Sequence, residues 1–184
     1  AMLAKDLVLE ERPELQIHIF NSRSASVGET LITEKIQECE EKGMEFSEVV
    51  ETVENYINTQ NTYFVLENLE TLRKNGRLSN LKAFVASALK IKPVMGATPE
   101  GTIIQLDQAR GMNKALVKMV DYVAGAAEDP EQKILGITHC NCPERAEAVK
   151  NAILEKISVK DVILLDTAGV SSMYANDGGV IVVL

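Results

Sequence analysis

The chain has 184 residues, a formal net charge of −8 at pH 7 and an apolar fraction of 46%, so it can bury a core without disulfide or metal support. This acidic balance argues against binding to nucleic acid or adsorption to an anionic membrane, because both need clustered basic residues. No apolar run reaches the roughly 18–20 residues of a membrane-spanning helix, and three cysteines fit a reducing compartment, so we expect a cytoplasmic protein.

Hydrophobic periodicity and turn residues predict helices and strands that alternate along the chain. Helices are predicted over residues 3–11, 27–42, 46–60, a short stretch ending at 75–76, 79–89, 112–126 and 143–157. Strands are predicted over residues 16–20, 62–66, 93–97, 102–109, 134–138, 162–165 and 180–184. Strands separated by helices, with one hairpin at T-P-E-G, indicate an α/β fold in which helices flank a mixed β-sheet.

Arg77 has the greatest chemical interest because it directly follows the helix stop Asn75-Gly76. Gly, and less often Asn, accepts the left-handed backbone that ends many helices. A guanidinium held at such a turn can bind a carboxylate or a phosphate through two parallel hydrogen bonds. The sequence therefore predicts an anion-binding arginine between two packed helices.

The segment L-x-x-L-R-K-N-G-R-L-S, followed by I-K-P-V and then A-R-G, resembles the signature of the DegV family, and the resemblance runs from about Ile17 to the end of the chain. It implies a two-domain bacterial protein that binds a long-chain fatty acid in its domain cleft. In some bacteria such a protein presents the acid to a kinase that makes acyl phosphate. The resemblance divides the chain into residues 1–43, a remnant of the N-terminal domain with a partial α/β segment, and residues 44–184, the C-terminal α/β domain. We therefore expect a truncated form.

The same resemblance implies that two serines belong to the ligand-binding site. The stretch N-S-R-S-A-S-V-G-E is similar to the family's D-S-x-x-x-S-x-G, which matches Ser22 and Ser26 to the family's ligand-binding serines, while Asn21 stands where the family has Asp. Hydroxyls at a strand-to-helix turn can cradle an anion. The residues alone favour Ser24 and Ser26 as caps of the following helix, and the resemblance makes ligand binding an equal alternative.

The resemblance implies two further contact regions. Where the family has a loop His that contacts the ligand head group, this chain offers Ser171, Ser172, Tyr174 and Asn176, and we expect Ser171, Ser172 and Asn176 to bind the ligand instead. The alternatives are a branch of the family with a different ligand, or an ordinary polar loop between two strands. Arg110 matches a basic position that faces the kinase in kinase-coupled members, and a solvated arginine near a strand end is the alternative.

No metal site is expected. His139-Cys140-Asn141-Cys142 offers soft ligands, but a zinc site needs a second cluster and usually C-x-x-C spacing. No nucleophile stands beside a base in a catalytic motif. We therefore expect a non-catalytic protein with no cofactor, and with a fatty acid as its bound ligand.

Three functions compete at this point. The favoured one is a carrier that holds a long-chain fatty acid by its carboxylate and presents it to a kinase. The first alternative is an enzyme subunit like those of dihydroxyacetone kinases, which share the family's fold and hold substrate on a His, here His18. The second is an interaction protein with no ligand. Residues 2–42, without their core partners, would be prone to pair with another copy of the chain.

Overall fold

The computed structural model describes residues 1–78 and 90–184. Its helices are α1 Met2–Glu11, α2 Val27–Glu41, α3 Phe46–Asn58, α4 Glu70–Lys74, α5 Met112–Gly125, α6 Pro143–Leu154 and α7 Gly169–Ala175. Its strands are β1 Thr62–Val65, β2 Ile91–Ala97, β3 Ile103–Arg110, β4 Ile134–His139, β5 Asp161–Asp166 and β6 Val180–Val183. A short 3-10 helix, Pro130–Gln132, precedes β4.

The strands form one six-stranded sheet in the order β3-β2-β1-β6-β4-β5. Strands β4 and β5 are parallel and are connected through α6, whereas every other neighbouring pair is antiparallel. The C-terminal strand β6 therefore lies between β1 and β4 in the middle of the sheet. This mixed sheet with flanking helices confirms the predicted α/β class.

The sheet buries apolar side chains on both faces, because successive strand residues point to opposite sides. Tyr63 and Val65 pack against α5 and α6 in the largest apolar cluster. Phe64, between them in β1, belongs to a second cluster on the other face, which includes residues of α4 and α7. Helices α2 and α3 also cover this second face, toward β4 and β6.

Helix α2 lies unusually close to the sheet at Gly136 of β4. A Cβ atom built on Gly136 would lie 2.7 Å from Cγ2 of Val27 and 3.0 Å from Cδ1 of Leu31. Real Cβ atoms do not come that close to a neighbour. The first turn of α2 can therefore pack directly on β4 because residue 136 has no side chain. The loop just before α2 is thereby held at the same face of the sheet.

Most predicted elements agree with the structure to within a few residues, but one strand prediction is wrong. Residues 16–20 form no strand in the described structure. Phe20 packs instead into the apolar cluster between α2 and α3, and its ring lies edge-on to His18 at 4.5 Å. Contact with helices, rather than pairing in a sheet, therefore partly buries residues 17–20. The helix predicted over residues 79–89 lies outside the described residues.

The N-terminal helix is the most exposed element. Helix α1 has no buried residue, and Met2, Leu3 and Leu7 are exposed by 58%, 72% and 54%. The division of the chain at residue 43 and the pairing of two copies through the N-terminal segment stay predictions. Within residues 1–78 and 90–184, no helix is long and apolar enough to cross a membrane.

Candidate functional site

A cavity of about 400 Å³ opens on the face of the sheet that α2, α4 and α7 flank. Its floor and inner walls are apolar and comprise Phe64, Leu66, Leu72, Ile103, Ala175 and Ile181. Its polar lining residues are Arg23, Ser24, Ser26, Glu29, Thr62, Arg77, Ser171 and Tyr174. The volume falls within the range of roughly 300–1,000 Å³ that is typical of small-molecule sites, and an apolar interior with a few polar groups is their usual chemistry.

Arg77 reaches the cavity from the turn that ends α4. The backbone N–H of Arg77 donates to the carbonyl of Leu72 at 2.9 Å, and that of Gly76 donates to Arg73 at 3.1 Å. Gly76 has φ +68, the left-handed conformation that this type of helix ending requires. The predicted glycine stop is therefore confirmed. It fixes the backbone of Arg77 while its side chain, although exposed to solvent, lines the cavity.

The loop before α2 brings two serines to the cavity, Ser24 and Ser26. The Ser24 hydroxyl lies 2.7 Å from Oγ1 of Thr62, and the Ser26 hydroxyl lies 3.0 Å from Oγ1 of Thr138. Ser26 occupies the N-cap position of α2, but among the described residues its side chain makes no capping bond. Both hydroxyls are thus turned toward the sheet, and the capping explanation does not apply to Ser26.

Helix α7 forms another wall, where the sequence indicated a loop. Ser171 and Tyr174 of α7 line the cavity. Ser172 lies on the same helix but donates to Oγ1 of Thr167 at 2.9 Å, and Asn176 donates to the carbonyl of Tyr174 at 3.0 Å. Of the three residues predicted here, Ser171 is the one that lines the cavity.

Two other predicted site residues lie apart from the cavity lining. Ser22 donates its hydroxyl to the carbonyl of Ser24 at 3.2 Å, so it shapes the loop before α2, the serine loop (residues 22–26). Arg110 is exposed at the end of β3, opposite Ile91 of β2. The ligand and partner roles of all these residues stay predictions.

An ion-pair network lies close to the cavity and holds the segment between α7 and β6. Glu67 Oε2 lies 2.6 Å from Nζ of Lys92, and Glu67 Oε1 lies 3.2 Å from Nη1 of Arg145. Arg145 also donates to the carbonyl of Gly178. Burial raises the pKa of Glu67, but the two cations outweigh burial and hold the pKa below its usual value. The carboxylate therefore stays ionised at neutral pH and ties β1, β2 and α6 together.

The residues that suggested a metal site serve as hydrogen-bond partners. His139 ends β4 and is buried, and its Nδ1 accepts from the backbone N–H of Cys142 at 3.4 Å. Cys142 is the N-cap residue of α6, and its thiol donates to the carbonyl of Gly179 at 3.6 Å. Across the described ranges, no group of three or more His, Cys, Asp or Glu residues is arranged to hold a metal ion.

Several cavity residues were not found by sequence reasoning. The sequence indicates Ser24 only as a helix cap, Thr62 only as the start of a strand, and Tyr174 only as one of several polar groups in a loop. The position of Thr62 could have indicated a cavity residue, because a hydroxyl residue at the start of a buried strand lies at an end of the sheet, where clefts form. No local pattern indicates that Thr62 meets Ser24, which is 38 positions away in sequence.

Comparison with known proteins identifies the family. The model of the DegV family of uncharacterised proteins matches residues 1–184. A DegV domain-containing protein of Streptococcus pneumoniae is 33% identical over 181 residues, which are 98% of this chain and 64% of that protein.

Solved structures give the same result. A DegV family protein from Ruminococcus gnavus, described with vaccenic acid, superposes on this chain with a TM-score of 0.96 at 60% identity, over 100% of this chain and 66% of the other. The Fatty Acid Kinase (Fak) B3 protein of Streptococcus pneumoniae, loaded with linoleic acid, gives a TM-score of 0.88 at 32% identity, over 99% and 64%. The chain thus spans slightly less than two thirds of these relatives, and it belongs to the DegV family.

Proposed function

We propose that the protein is a non-catalytic carrier that binds a long-chain fatty acid in the cavity and presents its carboxyl group to a kinase. The observation that carries the proposal is the cavity's division into an apolar floor and a polar rim. Phe64, Ile103 and Ile181 line the floor, while Arg77 and the serine hydroxyls lie among the polar groups. One relative described with vaccenic acid and another described as loaded with linoleic acid support the same ligand class.

The apolar part of the cavity would supply most of the binding free energy. Burial of one methylene group contributes about 0.8 kcal/mol, so ten buried methylene groups contribute about 8 kcal/mol before the costs of association. An affinity of about 1 μM corresponds to about 8 kcal/mol. An acyl chain of more than ten carbons is therefore the class of ligand that this floor suits.

The polar part would select an acid over an alcohol or a hydrocarbon. A carboxylate that leaves water needs compensating hydrogen bonds and an opposite charge, otherwise it binds a proton or is excluded. Arg77 offers the charge and a planar donor fork, and Ser26 and Ser171 offer hydroxyl groups from other segments. We propose these three residues as the core of the carboxylate clamp, with Ser22, Ser172 and Asn176 in the surrounding shell that supports it.

A substitution on β3 tests the acyl site directly. Ile103 lines the cavity, and its neighbour Ile104 points to the opposite face because strand side chains alternate. Ile103→Trp should fill the cavity and lower the affinity for oleic acid at least tenfold, measured by displacement of a fluorescent long-chain acid. Ile104→Trp is the matched control and should bind with wild-type affinity. Equal affinities in the two variants would place the acyl chain elsewhere and overturn the proposal.

A second pair of variants tests the clamp. Hydrogen bonds to a charged group contribute about 1.5–3 kcal/mol, and the exposure of Arg77 favours the lower end, so Arg77→Ala should weaken oleic acid binding about tenfold. The melting temperature should not change, because the backbone of Arg77 makes the helix-ending bond. Arg73→Ala, which removes an exposed arginine near Glu70, is the control. An equal loss of affinity and stability in Arg77→Ala would mean that this arginine is architectural.

The proposal also includes presentation of the bound fatty acid to a kinase. It is supported by the name of the pneumococcal relative, a Fatty Acid Kinase protein. Arg110 is exposed at the end of β3, where a basic side chain can meet an acidic partner. Arg110→Ala should slow acyl phosphate formation in a kinase-coupled assay without changing oleic acid affinity, whereas Lys114→Ala should change neither. A lower oleic acid affinity in Arg110→Ala would place this residue in ligand binding instead.

The enzyme alternative receives no support from the geometry. His18, its required residue, does not line the cavity. Its Nε2 lies 3.0 Å from Oε1 of Glu54 on α3. We therefore propose binding rather than chemistry at the cavity.

A further inference from the structure

Arg23 lines the cavity, and its guanidinium is hydrogen-bonded to two other parts of the protein. Its Nη2 donates to Oδ1 of Asn58 at 2.7 Å, and its Nη1 donates to the carbonyl of Pro99 at 3.2 Å. Asn58 is the last residue of α3, and Pro99 lies in the turn between β2 and β3. One side chain thus joins the serine loop to two elements that are 35 and 76 positions away.

The backbone of the serine loop needs such a restraint. Arg23 and Ser26 have φ angles of +48 and +58, a region that residues with a Cβ rarely occupy and that costs about 1–3 kcal/mol each unless the surroundings impose it. This strained part of the serine loop contributes Ser24 and Ser26 to the cavity lining. Their positions therefore depend on contacts outside the loop.

The hairpin turn makes the closest of these contacts. A Cβ atom built on Gly101 would lie 2.9 Å from both Cα and the carbonyl oxygen of Arg23, so the two backbones meet without room for a side chain between them. Gly101 has φ +83, which also suits glycine. Gly101 lines the cavity together with Arg23 and Ala97. The junction of serine loop and hairpin is therefore part of the cavity wall.

We propose that Arg23 is a positioning residue that holds this wall closed and thereby sets the rate at which a bound acid leaves. The inference rests on the proposed fatty-acid function. The Arg23 guanidinium fastens the loop to the C-terminal end of α3, where the helix dipole favours a positive charge. Release of oleic acid past this side requires the loop and the hairpin turn to separate, and the two hydrogen bonds of Arg23 oppose that separation.

Three variants of the 184-residue chain test the inference, with oleic acid as the probe and release followed by stopped-flow exchange against a fluorescent long-chain acid. Arg23→Ala should release oleic acid about fivefold faster, because two hydrogen bonds from a partly exposed charged group are lost. Arg12→Ala removes an arginine that pairs with Glu14, two positions away in sequence, and should release at the wild-type rate.

Asn58→Asp separates positioning from general stability. An aspartate at the C-terminal end of α3 is unfavourable to the helix, so the melting temperature should fall slightly. The same aspartate would pair with Arg23 more strongly, so oleic acid release should slow about twofold. A role in stability alone predicts faster release in this variant. Amide hydrogen exchange in residues 22–26 should rise in Arg23→Ala and fall in Asn58→Asp, without ligand.

The outcomes separate the two proposals. Failure of the wild-type chain to bind oleic acid would overturn the fatty-acid function, and this inference with it. Normal oleic acid binding, with equal release rates in wild type and Arg23→Ala, would overturn the positioning role alone. Faster release in Asn58→Asp would also overturn it, whereas slower release together with a lower melting temperature would establish it.

Discussion

Substitution of Gly136 by alanine tests whether the close seating of α2 supports the ligand site. The new methyl group would lie 2.7 Å from Cγ2 of Val27, 3.2 Å from its Cγ1 and 3.0 Å from Cδ1 of Leu31. Val27 and Leu31 are exposed by only 0% and 1%, so neither side chain can move into solvent. Overpacking of this kind costs about 1–3 kcal/mol.

The net effect is smaller than the steric cost, because alanine restricts the unfolded chain more than glycine does. That restriction stabilises the folded state by about 0.4–1 kcal/mol where the backbone is compatible, and Gly136 does not have a left-handed φ. We therefore expect Gly136→Ala to lower the free energy of unfolding by about 1–2 kcal/mol. For a chain of this size, the melting temperature should fall by about 3–6 °C.

Urea denaturation of the wild type and four variants would test this reasoning. Gly125→Ala is the control, because among the described residues no atom lies within 4 Å of a Cβ built at that position, and it should be neutral or slightly stabilising. Val27→Ala should itself destabilise the protein, yet combined with Gly136→Ala it should cost at least 0.5 kcal/mol less than the sum of the two. Strict additivity would show that the steric contact with Val27 is not the cause. Since Val27 directly follows Ser26, Gly136→Ala should also weaken oleic acid binding.

Three further predictions concern charge and ligand. Hydrogen bonding to Lys42 lowers the pKa of Glu38 to about 2. The ionised carboxylate therefore contributes stability that is present above the ordinary pKa of 4.5 and is lost as the pH falls toward 2. When the free energy of unfolding is measured against pH, Glu38→Gln should remove this loss, which is less than about 1 kcal/mol because the pair is exposed. Glu67→Gln leaves Lys92 and Arg145 without their shared anion and should cost about 1–2 kcal/mol in urea denaturation, and an unchanged stability would mean that the network is solvated. Removal of bound fatty acid should lower the melting temperature, and oleic acid at one hundred times its Kd should raise it by about 5–10 °C, corresponding to about 2.7 kcal/mol; an unchanged melting temperature would argue against binding.

Local patterns in the sequence predict the helices and the hairpin well, because each is decided by contacts close in sequence. The apolar stripe of α3 and the T-P-E-G turn are examples, and the stop at Gly76 was predicted to the residue. Residues 16–20 alternate like a strand, but alternation does not say whether a sheet edge is near, and Phe20 packs between helices instead. The seven-residue helix α7 was missed because Gly169 and the paired serines suit a loop equally well.

The set of residues that line the cavity depends on contacts between segments that are distant in sequence. Arg77, Ser26 and Ser171 are far apart in sequence, and the sheet order that brings them to one face is not readable from any of the three segments. The family resemblance identified the segments, but it could not decide which serine of each would line the cavity. Ser24 lines it and Ser22 does not, because the positive φ of Arg23 turns the loop between them.

The cavity is therefore a property of the assembled sheet rather than of any one element. Its floor comes from β1, β3 and β6, and β6 joins the other two only when the C-terminal strand has paired between β1 and β4. Its rim comes from the serine loop, the end of α4 and helix α7, each fastened to the sheet by a separate contact. A ligand that touches floor and rim together binds the complete structure and not its parts. Fatty-acid binding and cooperative stability should therefore rise and fall together across variants of α2 and β4, while variants of Arg77 should change binding alone.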